Sequence, residues 1–180
     1  WTPNASKGGA ADLATSNADG TRYGSGYDVT LEATSDFSGM DGLTLYGGIS
    51  KYDAYQNITA FNDDAFEKTV GIKYAVGGFT VGYQWSEEEN GRATTNTEYQ
   101  NDGYGITFSI NDDLSIGYNN YKSEKVSSTN VEYEASSVQI AYSMGGVSVR
   151  LAEASSDNMN YKTGAANQRD ATTLSVALAF

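Results

Sequence analysis

The sequence predicts an all-β chain, an antiparallel up-and-down transmembrane β-barrel with about nine strands in view. Three observations predict it. Apolar residues recur at every second position in segment after segment. Tight-turn signals separate those segments in pairs, at a spacing of roughly 35 residues. Connections alternate between very short ones and longer polar ones, as periplasmic turns and external loops do in outer-membrane proteins.

Taken in order, the alternating apolar sets are Val29, Leu31, Ala33 and Phe37; Leu43, Leu45 and Ile49; Val70, Ile72, Tyr74 and Val76; Phe79, Val81, Tyr83 and Trp85; and Tyr104, Ile106, Phe108 and Ile110. The remaining four are Leu114, Ile116 and Tyr118; Val138, Ile140, Tyr142 and Met144; Val147, Val149 and Leu151; and Leu174, Val176, Leu178 and Phe180. Intervening positions are small or polar, as in Thr80, Gly82, Gln84 and Ser86. Turn signals stand at Ser38 to Gly42, Gly77-Gly78, Asn111 to Asp113 and Gly145-Gly146. A repeat of this length also suits helical arrays, but apolar residues every second position do not suit a helix face.

Composition narrows the function. The chain has 180 residues, a net charge of -12, no cysteine and no histidine. Disulfides, thiolate metal sites, Ser-His triads and His-ligated zinc are thereby excluded, and no cofactor is expected. Lys73 near Glu67, or Tyr121 near Asn119, offers no nucleophile-base pair, so no enzyme is predicted. The negative field repels nucleic acid. No apolar run approaches the roughly 20 residues of a membrane helix. The mean hydropathy of -0.48 does not decide between solution and membrane, because a membrane strand averages lipid-facing and water-facing side chains.

A soluble β-sandwich also alternates and is the competing fold. Against it stand long polar connections at Gln56 to Ala65, Glu87 to Asp102, Lys122 to Glu132 and Ser155 to Gln168, opposed to very short turns. Aromatic residues also fall near strand ends: Phe37, Tyr74, Phe79, Tyr142 and Phe180 at the short-turn end, and Tyr27, Phe66 and Tyr104 toward the other, where two interfacial girdles belong.

The strand-turn rhythm of Tyr27 to Phe180 and the final Thr-Leu-Ser-Val-Ala-Leu-Ala-Phe resemble bacterial porins, and the acidic, Gly- and Tyr-rich texture is similar to alphaproteobacterial general porins. The resemblance implies a trimeric outer-membrane barrel of about sixteen strands. It also implies contact with the lipid bilayer and lipopolysaccharide. Leu174, Val176, Leu178 and Phe180 look like the signal read by the barrel-assembly machinery. Counting back from a last strand that descends to the periplasm assigns Trp1 to Gly26 to an external loop and 27–180 to barrel strands. Roughly seven N-terminal strands, and the family's constricting loop with them, are then expected outside this sequence.

The implied function is a water-filled channel for passive diffusion of small hydrophilic solutes and ions. A substrate-selective channel, or an incomplete barrel captured by the assembly machinery, are the alternatives. Parity turns Asp28, Glu32, Glu67, Lys73, Gln84, Asn119, Gln139, Arg150 and Arg169 toward the pore, where charge stays hydrated. The excess acid is expected in loops, at Asp63, Asp64, Glu87, Glu88, Glu89, Glu98, Asp102, Glu124, Glu132, Glu134 and Asp157. There it would favour cations by focusing or be ordinary solvated charge. The Glu87-Glu88-Glu89 run is a weak candidate for a divalent ion, and exposed acids without a cage explain it equally. Glu153, with Thr172 and Asp170 beside it, falls on the apolar side, so either a subunit covers it or a bulge at Ala152 to Ala154 turns it inward.

Overall fold

The computed structural model describes residues 23–54, 64–89, 98–126 and 131–178. Nine strands follow one another: β1 (Tyr23–Ala33), β2 (Leu43–Ala54), β3 (Ala65–Val76), β4 (Phe79–Glu89), β5 (Glu98–Ser109), β6 (Leu114–Val126), β7 (Val131–Met144), β8 (Val147–Asp157) and β9 (Arg169–Leu178). They form a single sheet in sequence order, each paired antiparallel with the next. β1 and β9 are its two edges, and the sheet is not closed. All nine alternating segments are strands.

The turns follow from local chemistry. Gly77 and Gly78 carry φ of 56° and 85°, and Gly145 and Gly146 carry 58° and 83°. Two successive positive values define the hairpin turn whose twist matches that of paired strands. At the third short turn, Asn111 Oδ1 accepts from the amides of Asp113 and Leu114, each at 2.9 Å. The turn at Ser38 to Gly42 is present, closed by the Leu43 amide donating to the Met40 carbonyl, with Gly39 and Gly42 at positive φ. A one-turn helix, Ser35–Ser38, precedes it, started by amides of Phe37 and Ser38 donating to the Thr34 carbonyl. Phe37 therefore lies in that helix and does not extend the β1 alternation.

The register carries one apolar face across the whole sheet. Its large side chains are exposed: Leu31 at 76%, Val138 at 60%, Leu174 at 66% and Leu178 at 63%. Among described apolar residues only Ala65 is buried. A soluble sandwich needs a second sheet over this face, and all described strands belong to the one sheet. At the short-turn end of this face Phe79 and Phe108 stack, with ring centroids 4.3 Å apart.

The apolar band runs diagonally. Ala33, Leu45, Ile72, Tyr83, Tyr104, Asn120, Ser136, Ser155 and Asp170 are successive cross-strand partners. A row that starts beside Leu31 in β1 thus ends in β9 at Asp170, well past Leu174.

Strands run further than apolar alternation does. Glu87, Glu88 and Glu89 lie in β4, Glu98 and Asp102 in β5, Glu124 in β6, Glu132 and Glu134 in β7, and Asp157 in β8. The acids expected in loops are therefore mostly on strand ends; Asp64 precedes β3, and Asp63 lies outside the described residues. The β6–β7 connection shrinks to residues 127–130, shorter than the 34–42 link after β1, so connection lengths do not alternate strictly. Trp1 to Arg22 and Phe180 also lie outside the described residues, and β1 pairing begins at Tyr23, ahead of Tyr27. Pairing through Ala152, Glu153 and Ala154 is unbroken on both sides, which removes the bulge, one of the two alternatives for Glu153. Glu153 stays on the apolar side, just past Leu151, and accepts a 2.6 Å hydrogen bond from Thr172.

Candidate functional site

The second face of the sheet is polar, and it holds every residue that parity assigns to a pore. One row crosses it as Asp28, Ser50, Glu67, Glu88, Tyr99 and Lys125. Another runs Thr44, Lys73, Gly82, Gly105 and Asn119. The two glycines leave an open floor between Lys73 and Asn119. A hollow of about 760 Å³ follows, lined by Glu32, Tyr46, Lys73, Gln84, Asn119 and Tyr121 among others. Four of the nine predicted residues thus meet in one concavity. Gln139 on β7 and Arg150 on β8 share the face but lie outside that hollow, as does Arg169 at the start of β9.

Tyr46 shapes the floor. Its ring lies across Gly71, where any Cβ would collide with it, and its hydroxyl donates to Gln84 Oε1 at 3.0 Å. Tyr121 donates to Asn101 Oδ1 at 2.7 Å rather than engaging Asn119. Arg169 spends its guanidinium on the carbonyls of Ala166 and Gln168, at 3.0 and 2.7 Å. It holds the β8–β9 connection and is not a bare wall charge.

Charge on this face is sorted by strand. Asp28, Glu32, Glu67 and Glu88 sit on β1, β3 and β4, whereas Lys125, Arg150 and Arg169 sit on β6, β8 and β9; Lys73 is the exception. Glu67 faces Glu88 directly across β3 and β4, and two like charges in that relation repel.

Strand alternation also disposes of the Glu87-Glu88-Glu89 ion site. Glu87 and Glu89 share the face of Phe66 and Lys68, while Glu88 turns to the other with Glu67. Three consecutive strand residues cannot converge on one ion. Among the described residues no group of three or more carboxylates could hold a metal. The acids beyond the apolar band on its own face are largely paired. Lys68 bonds Glu87 at 2.6 Å and lies 5.3 Å from the Trp85 ring centre. Lys122 reaches Glu132 at 2.8 Å and Glu134 at 3.7 Å, and Tyr83 donates to Asp102.

Sequence reasoning missed Tyr46 and Lys125 and assigned Glu88 to a loop, although extending the strand parity by a few residues places all three on this face. It also missed Tyr161, whose place on a connection no periodicity encodes. Leu174, Val176 and Leu178 stand exposed on the apolar face of β9. Neither protein-family models nor curated proteins give a match to this sequence.

Proposed function

We propose that this chain forms part of the wall of a water-filled outer-membrane channel of the general-porin kind, passing small hydrophilic solutes and ions by passive diffusion. The observation that carries the reading is a nine-stranded sheet with a continuous exposed apolar face backed by a polar one. In water so large an apolar surface is an aggregation liability; against acyl chains it is the required surface.

The diagonal band supports the same reading. If the band is level with the bilayer, it drifts about one residue per strand; at a rise of about 3.3 Å and a spacing of about 4.8 Å, the strands tilt by roughly 35°. Membrane barrels tilt their strands by 35–45°. The two bare edges call for further strands, because an unpaired edge is not tolerated in hydrocarbon.

Cation preference has two sources, the acids gathered on β1, β3 and β4 of the wall and the net negative charge. On the polar face four acids meet four bases, but the long-connection end carries the surplus carboxylates. Purified protein in a planar bilayer is expected to give stepwise conductance. The reversal potential should show cation preference at 0.1 M salt and weaken at 1 M, as the Debye length falls from about 10 to about 3 Å. Folded, membrane-inserted protein that conducts nothing would overturn the channel.

A further inference from the structure

We propose that the β8–β9 connection, residues 158–168, is a constriction at the long-connection mouth: folded onto the polar face and pinned there by Tyr161, it narrows the entrance of the channel proposed above, on which this inference rests. Ser123 belongs to the polar face of β6, opposite Asn101 and Tyr133. Its hydroxyl lies 2.8 Å from that of Tyr161, and it is 2% exposed. The Tyr161 ring packs on Tyr99 of β5, with centroids 5.3 Å apart. The connection leaves β8, passes β7 and covers β6 and β5. It does not extend the wall outward.

The backbone is bent to do this. Asn158, Asn160 and Tyr161 take φ of 55°, 57° and 55°. Left-handed geometry is strained for a residue such as tyrosine and persists where the surroundings fix it. Those surroundings are visible. Asn158 Nδ2 donates to the Glu132 carbonyl at 2.8 Å, Asn167 Nδ2 to the Thr163 carbonyl at 3.0 Å, and Arg169 ties down the far end. A layer packed on a sheet stands roughly 10 Å from it, so the free width over β5 to β7 falls by about that amount. Exposed Asn160, Lys162 and Thr163 keep the layer wet, so it narrows the path without sealing it.

The sequence has no cysteine, so single thiols report the docking directly. In lipid vesicles, Ser123→Cys should react with a methanethiosulfonate reagent at least about tenfold more slowly than Thr107→Cys, an exposed position on the same face, because labelling waits for local opening. Adding Tyr161→Ala should abolish that gap while leaving labelling of Thr107→Cys unchanged, which controls for folding. Tyr161→Ala should also raise single-channel conductance and admit larger polyethylene glycols, with Tyr161→Phe intermediate. Equal labelling of the two thiols with Tyr161 in place overturns the docking. Unchanged conductance and cut-off in Tyr161→Ala overturn the constriction while leaving the channel standing. Absence of conductance in the unsubstituted protein overturns the channel reading itself.

Discussion

At the residue scale, the wall is governed by what faces what across a strand pair. Glu67 and Glu88 are opposed on the polar face, while Glu87, one residue away, pairs with Lys68 on the apolar one. Neighbouring glutamates therefore have unlike roles. Neutralising Glu67 and Glu88 to Gln should shift the reversal potential toward zero selectivity, whereas Glu87→Gln should leave it nearly unchanged. The double change should also stabilise the β3–β4 pair by about 0.2–1 kcal/mol, since directly opposed like charges are removed. Denaturant titration in vesicles reads the second effect. A larger selectivity loss from Glu87→Gln would show that charges outside the wall govern the mouth.

At the scale of elements, all nine strands were legible because each presents a period of two. Their ends were not. Alternation of apolar residues stops at the edge of the apolar band, but the ladder of backbone hydrogen bonds continues through Glu87 to Glu89 and through Lys122 to Val126. Cross-strand pairs such as Lys122 with Glu132 and Glu134 hold these polar extensions, and they are visible only once register is known. The inward fold of residues 158–168 was illegible for the same reason, since it depends on Tyr161 meeting Ser123 from another hairpin. The turns were legible, and they make a sharp prediction. A side chain at Gly77 meets nothing within 4 Å, whereas one at Gly78 would stand 3.2 Å from the Ser109 carbonyl oxygen. Gly77→Ala should cost about 1–2 kcal/mol through positive φ alone. Gly77→Asn should cost less, because Asn tolerates that conformation, and Gly78→Ala should cost more than Gly77→Ala. Equal stabilities of the two alanine variants would contradict the turn geometry.

At the scale of the whole molecule, the choice between lipid and water as the solvent of the apolar face decides every other reading. Ile140 on β7 lies mid-band and exposed on that face, opposite Ile116 and Leu151. Gln139, the preceding residue, points to the polar face, opposite Gly117 and Ala152, where a longer side chain has room. An arginine facing acyl chains near mid-bilayer costs about 2–4 kcal/mol, while one facing water in a channel costs little. Ile140→Arg should therefore lower the folding free energy measured by urea titration in phospholipid vesicles by about that amount, and Gln139→Arg by much less. A soluble barrel with its apolar side chains enclosed would also resist Ile140→Arg, so the lipid must be varied. Only a lipid-facing Ile140 predicts that the penalty grows as the acyl chains lengthen and place position 140 deeper in hydrocarbon. A penalty independent of bilayer thickness, or a larger one at Gln139, would reverse the assignment of the two faces and remove the basis for a channel.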